Sequence, residues 1–267
     1  MLSYAVVAPF PATPRPMPAI TSDALVLRTF NMGETSKIVV LLTRERGKVR
    51  AVAKGARGAR SRYQSALEPL SEVRVSLHGR QGAELFRLGA CELLRSAFLA
   101  SGRGVDTALA LSYFAELLDA FSPEGEAEDA VYRLAIAVVR AVEEGAEIVV
   151  LTRYLEAWLL KLHGIYPPLD RCAACDRPMA VGPLRYHAPA HGFVCEDCGA
   201  ATGPTLSAVA RGFLGELFRR PPATFKEAAP ADAASLEAFH HGLIARHLER
   251  DLRSYRVMTE VARGLRP

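Results

Sequence analysis

The sequence has one tryptophan, and aromatics make up only 7 % of its 267 residues. No apolar run reaches the ~18 residues that a membrane-crossing helix needs. The first twenty residues, MLSYAVVAPFPATPRPMPAI, have no basic stretch ahead of their short apolar patch, and Pro9, Pro11, Pro14, Pro16 and Pro18 interrupt them. That excludes a good secretory signal. A disordered or polyproline II lead over residues 1–20 is expected instead, with order beginning near Thr21. Enzyme signatures are also missing. There is no G-x-x-x-x-G-K-[ST] phosphate loop, no dinucleotide fingerprint, no G-x-S-x-G and no H-E-x-x-H. The acids of the first hundred residues (Asp23, Glu34, Glu45, Glu68, Glu72, Glu84 and Glu92) are scattered, where a metal-dependent nuclease needs them gathered. The acidic clusters at Glu124–Asp129 and Glu143–Glu147 read as solvated turns and helix ends. Nothing in these patterns argues for catalysis.

Acid is absent altogether from the stretch RGKVRAVAKGARGARSRYQ, Arg46–Gln64, which holds seven Lys or Arg, three glycines and one aromatic. The net charge of the chain is only +4, but it is unevenly spread. Residues 1–100 hold 15 basic against 7 acidic side chains, and residues 101–267 hold 18 against 22. One part of the molecule attracts polyanions and the other does not.

The N-terminal part reads as β. The runs ALVLRTF, KIVVLLT, KVRAVAK, SEVRVSLH and AELFRLGACELLRS are separated by short polar turns. In KVRAVAK, Val49, Ala51 and Ala53 share one face; in SEVRVSLH, Val73, Val75 and Leu77 do. Five short strands in this span predict a small antiparallel barrel of OB type over 21–100, although strand count alone does not separate it from an SH3-like barrel. After Gly104 the period becomes helical, with Leu109, Tyr113, Leu117 and Phe121 in one stripe. Ser122 and Pro123 are expected to cap the next helix, Gly164 to stop the third, and SLEAFHHGLIARHLERDLRSYRVMTEV to form one long final helix. The helical domain then covers 101–168 and 204–260, interrupted at 169–203 by a cysteine-bearing insertion. The fold class is multi-domain α+β: an OB-type barrel, then an α-helical domain carrying a zinc-ribbon-like segment with four cysteines.

The chain has five cysteines. An odd count with two CxxC pairs does not describe a secreted disulfide scaffold, and a reducing, cytoplasmic setting fits better. Cys172, Cys175, Cys195 and Cys198 supply four thiolates with 19 residues between the pairs. That spacing closes tetrahedrally on Zn²⁺, and PLRYHAPAHGFVC between the pairs reads as a hairpin. Four sulfurs leave no position open for water, so one structural zinc is expected. His187 and His191 read as hairpin side chains. Cys91 reads as a small buried hydrophobe.

The basic residues Arg28, Lys37, Arg44, Arg46, Lys48, Arg50, Lys54, Arg57, Arg60 and Arg62 fall within strands one to three and the following loop. This is the part of an OB barrel that tracks a nucleic-acid backbone. Phe30, Tyr63 and Phe86 are the available stacking groups, too few for base stacking to dominate over phosphate contacts.

With these residues in view, the sequence resembles a family. ALVLRTFNMGETSKIVVLLTRERGKVRAVAKGAR, SRYQSALEPLSEVRV and CELLRSAFL look like the N-terminal barrel of the bacterial recombination mediator family RecO. YFAELLDAFSPEGEAEDAVYRLAIAVV, RYLEAWLLKLHGIYPPLDRCAACD, GFVCEDC and LERDLRSYRVM are similar to its helical and zinc-binding part. The resemblance spans about residues 21–257. It implies a DNA repair accessory protein without catalytic chemistry. Members bind single- and double-stranded DNA, anneal strands, engage the C-terminal tail of the single-strand-binding protein SSB, and join RecR to help load RecA. It also implies a tail pocket on the helical domain, for which Arg133 and Arg140 are the candidate carboxylate binders. Two other readings stay open: a nucleic-acid-processing enzyme with an unrecognised centre, and a zinc-ribbon module that binds proteins.

Overall fold

A computed structural model describes residues 19–80, 83–199, 202–230 and 234–264. Residues 1–18 of the expected lead lie outside the described residues, and Ala19 and Ile20 already belong to the first strand. The strands are β1 (Ala19–Met32), β2 (Ser36–Thr43), β3 (Gly47–Ala53), β4 (Glu72–His78) and β5 (Phe86–Arg95). They close into a barrel in the order β1-β2-β3-β5-β4, with β4 returning to β1. The β3–β5 contact is parallel and the other pairings are antiparallel. That arrangement is the five-strand OB topology.

The apolar runs in β1 and β2 have a reason that the sequence reading did not separate. Side chains alternate between the two faces of a strand. Ala24, Val26, Val39 and Leu41 enter the barrel core, whereas Leu25, Leu27, Val40 and Leu42 enter a second core built by helices. Both faces of these strands are therefore dry. β3 and β4 follow the expected one-sided alternation, with Val49, Ala51, Ala53, Val73, Val75 and Leu77 inside. Tyr63, Ala66 and Leu67, on the segment between β3 and β4, fill the remaining barrel interior, and the Tyr63 hydroxyl donates to the Leu88 carbonyl at 3.1 Å.

The helices are α1 (Phe98–Ser101), α2 (Val105–Phe121), α3 (Asp129–Glu143), α4 (Ile148–Leu162), α5 (Ala208–Arg219), α6 (Ala234–Leu248) and α7 (Arg253–Gly264). No helix among the described residues is long and apolar enough to cross a membrane. Gly164 (φ +69°) ends the α4 turn as expected, and the Ser207 hydroxyl caps α5 by accepting from Ala210 N–H at 3.1 Å. Two expectations are corrected. Ser122 does not start α3 but ends α2, and α3 begins at Asp129. The intervening acidic loop is diverted onto the barrel, where Gly125 N–H donates to the Lys48 carbonyl at 2.9 Å. The final helix is two helices. Glu249 turns to φ +53°, Leu252 is buried, and the Glu116 carboxylate of α2 accepts from the backbone N–H groups of Arg253 and Ser254, capping α7. Neither glycine nor proline marks that break.

The cysteine segment holds β6 (Leu184–His187), β7 (Gly192–Val194) and β8 (Thr205–Leu206) in one small sheet, which thus extends past residue 203. Tyr186 and Phe193 pack against Phe239 of α6, with ring centroids 5.3 Å apart in each pair, so the insertion shares the helical core.

That core contains a buried polar network centred on Glu156 of α4. Its carboxylate receives hydrogen bonds from the Tyr113 hydroxyl (2.9 Å) and His240 Nδ1 (3.0 Å) and is ion-paired with Arg153 Nη2 (3.1 Å), and Tyr166 donates to His240 Nε2 at 2.9 Å. Burial opposes ionisation of Glu156, but Arg153, His240 and Tyr113 outweigh it and hold the pKa below the ordinary 4.5. Burial holds His240 below its ordinary 6.5, so the ring stays neutral. Both groups make the fold sensitive to acid. Folding lowers each group's proton affinity, so protonation favours the unfolded chain: for His240 as pH drops through about 6.5, for Glu156 below about 4.5. Glu156→Ala leaves Arg153 buried without a counter-ion and is expected to cost about 3–5 kcal/mol. Urea unfolding from about pH 7 to about pH 4 checks both points: the variant should be weaker throughout, and between about pH 6.5 and 4.5 it should lose stability at least as steeply as the native chain, because His240 has lost the carboxylate that favours its protonation.

Candidate nucleic-acid interface and metal centre

The structure divides nine of the ten predicted basic residues into two groups and leaves Arg46 outside both. Four of them are ion-paired to the helical domain: Arg28 to Asp119 (2.9 Å), Lys48 to Asp119 (3.3 Å), Arg44 to Asp129 (3.1 Å) and Arg50 to Glu124 (2.5 Å). Lys48 Nζ also donates to the Asp119 carbonyl at 2.6 Å. Outside the predicted set, Arg95 pairs with Glu143 at 2.9 Å in the same way. The acids at Glu124, Asp129 and Glu143, read from sequence as a solvated face, are therefore the counter-charges of the barrel. Gly47, at φ +60°, has the backbone of Glu126 directly over its α-carbon, which leaves no room for a side chain. Arg46 lies in the same β2–β3 turn, its side chain without a partner among the described residues.

The second group lies where the β1–β2 turn, the exit of β3 and the start of β5 come together. The side chains of Lys37, Lys54 and Arg60 have no ion pair or hydrogen bond among the described residues. Arg57 donates to the Gly33 carbonyl at 2.5 Å, and its backbone N–H donates to the Thr35 carbonyl at 3.0 Å, which fixes the glycine-arginine loop to the β1–β2 turn. Arg62 donates to the Tyr63 hydroxyl at 2.7 Å and lies over that ring. None of these contacts neutralises a cation. Two further arginines, Arg80 and Arg87, join this region; the search for a linear basic cluster missed them because each stands alone in its own segment. Of the three stacking candidates, Tyr63 is corrected to a core residue, and Phe86 lies in the barrel core with it. Phe30 is 44 % exposed, with Arg28 over its ring at 4.8 Å.

Arg133 and Arg140 both line a cavity of about 550 Å³ on α3, together with Tyr132, Ile136 and Pro222. Each is held by a carboxylate, Arg133 by Asp129 (2.7 Å) and Arg140 by Glu72 (2.9 Å).

The Sγ atoms of Cys172, Cys175, Cys195 and Cys198 lie within 4.8 Å of one another, and Cys175 and Cys195 are 3.8 Å apart. A tetrahedron of sulfurs about 2.3 Å from a central ion has edges of about 3.8 Å, so the set fits a metal ion. Each pair sits on a tight knuckle. Asp176, at φ +58°, returns its N–H to the Cys172 carbonyl (2.8 Å), and Cys198 N–H returns to the Cys195 carbonyl (3.2 Å). Burial opposes ionisation of Cys172, yet backbone N–H groups of Cys195, Ala174 and Cys175 overcome it and bring the thiol down to about 6. Hydrogen bonding with Cys175 and Cys195 pushes Cys198 up to about 12. Four thiolates cannot all form here without a cation among them. Arg177, which sequence reasoning missed, supports the cluster from outside: Nε lies 3.3 Å from Cys175 Sγ and Nη2 2.9 Å from Asp197. His187 and His191 stay outside the cluster, and His187 Nδ1 accepts from Ala190 N–H at 3.3 Å within its own turn. Cys91 packs against the barrel core, where burial raises its thiol to about 11.

Cys172→Ser or Cys195→Ser should release the metal, loosen residues 172–198 and lower solubility, because thiolate–metal binding is coupled to local folding. Elemental analysis of protein purified without chelator checks this: about one ion per native chain is expected, and clearly less in either variant.

Comparison with known proteins agrees with this architecture. Residues 17–97 match the family model for the recombination protein O N-terminal domain, and residues 104–256 match the recombination protein O C-terminal domain. The chain is 37 % identical to the DNA repair protein RecO of Koribacter versatilis (strain Ellin345) over 235 residues, covering 86 % of this chain and 94 % of that protein. It is 32 % identical to the DNA repair protein RecO of Anaeromyxobacter sp. (strain K) over 251 residues, covering 92 % and 98 %. The DNA repair protein RecO of Geobacter metallireducens is 28 % identical over 253 residues, covering 92 % and 99 %. With both terminal models matched in order and identity sustained over most of its length, the chain belongs to the RecO family of DNA repair proteins.

Proposed function

We propose that this chain is a non-catalytic recombination mediator that binds and anneals DNA. It acts with RecR on SSB-coated single strands to help load RecA. The observation that carries the DNA-binding part is the unequal treatment of the barrel's cations. Those facing the helices have carboxylate partners, and those beside the β1–β2 turn do not. Unpaired cations release counterions on meeting phosphate, whereas paired ones must first break an ion pair. Lys37, Lys54, Arg57, Arg60 and Arg62 therefore form the DNA track in this reading. Arg28, Arg44, Lys48 and Arg50 hold the barrel to the helices.

The metal is Zn²⁺ in this reading. An all-thiolate tetrahedral set suits that ion, and four protein ligands leave no open position, which agrees with a structural role. The cavity on α3 supports an SSB-tail site. Apolar side chains line it together with Arg44 and the carboxylates of Asp23, Glu72 and Glu144, and Arg133 and Arg140 are available once an incoming carboxylate displaces Asp129 or Glu72.

A salt titration of single-strand binding, with and without a peptide of acidic, apolar SSB-tail type, tests the reading. Lys37, Lys54, Arg57 and Arg60 changed together to Ala should lower the slope of log affinity against log salt by about three. Arg44, Lys48 and Arg50 changed to Ala should alter the slope by less than about one and lower the melting temperature. The peptide should bind the native chain and not the Arg133→Ala/Arg140→Ala variant. A native slope in the first variant contradicts the DNA assignment.

A further inference from the structure

A cavity of about 670 Å³ opens on the barrel between the end of β1, the exit of β3 and the start of β5. Its size is that of a small-ligand site. The floor is apolar. Met32 and Leu85 are 43 % and 44 % exposed, and they flank Val52 and an edge of Phe86. Gly79 shapes this floor: a Cβ there would fall 2.7 Å from Phe86 Cδ1, so only glycine leaves the ring in place. The rim is basic. Lys54, His78, Arg80 and Arg87 line it, and no carboxylate among the described residues does. In the sheet, Arg87 stands between Val52 of β3 and His78 of β4. The side chains of Lys54, Arg80 and Arg87 have no hydrogen-bond or ion-pair partner among the described residues.

This combination is costly in the free protein. Like charges repel across the rim, and large apolar side chains face water. An anionic ligand with a flat apolar body relieves both. In duplex DNA the base faces are already stacked, so duplex offers phosphates to the rim and nothing to the floor. A single strand offers both. The cavity also continues into the glycine-arginine loop, because Lys54 belongs to each. We propose that it takes one unstacked base of a single strand, with the base on the Met32–Leu85 floor and the flanking phosphates on Lys54, Arg80 and Arg87. This deepens the DNA-binding reading above and rests on it.

The test is fluorescence anisotropy of the full chain with a labelled oligothymidine and with the same backbone made abasic. The native chain should prefer the base-bearing strand by roughly five- to tenfold. Leu85→Ser should remove most of that preference while leaving the salt slope unchanged, with circular dichroism confirming a native melt. Arg80→Ala with Arg87→Ala should lower the slope by about one to two for both strands. Equal affinity of the native chain for the two strands overturns the base pocket and leaves the phosphate track standing. Failure to bind either strand overturns the DNA reading and the pocket with it. An arginine double variant that binds DNA normally but loses an acidic, apolar peptide assigns the cavity to a peptide and likewise overturns the proposal.

Discussion

The structure depends on strands buried on both faces. Ala24 and Val26 point into the barrel while Leu25 and Leu27 point into the helices, and Val39, Leu41, Val40 and Leu42 repeat the arrangement one strand away. Each large apolar side chain so buried contributes on the order of 1.5–3 kcal/mol, which no surface ion pair matches. A register slip by one residue would exchange the two sets between the barrel and helical cores. The ion pairs at Asp119, Glu124, Asp129 and Glu143 then surround a contact that packing has already fixed. They add specificity and neutralise cations that would otherwise compete for phosphate.

The cysteine segment is tied to the same frame. Tyr186 and Phe193 reach Phe239, and Arg246 donates to the Tyr186 hydroxyl at 2.7 Å. The cysteine knuckles thus flank a hairpin that is itself seated on α6. Behind it, Tyr166 links that helix to the Glu156 network through His240.

Much of the fold was legible in the sequence because it rests on local signals. Strand alternation in β3 and β4, the Gly164 stop and the CxxC spacing each need only a few residues to read. What was not legible depends on tertiary partners. Nothing local in RGKVRAVAK tells Lys48, which meets Asp119, from Lys54, which meets none. The break before Arg253 comes from the distant Glu116 carboxylate, and the start of α3 is set by a loop bonded to Lys48. Tyr63 stands in a basic loop as a DNA-stacking residue would, yet it closes the barrel. Arg80, Arg87 and Arg177 were passed over because each acts alone in sequence and in company only in space.

The central claim is that DNA lies beside the β1–β2 turn and not on the cations that face the helices. Hydrogen exchange of the full chain with and without a single-stranded oligonucleotide tests it most directly. Slower exchange on binding is predicted at residues 54–63 and 83–88, with residues 44–50 unchanged. Slowing confined to 44–50, with none at 54–63, would contradict it.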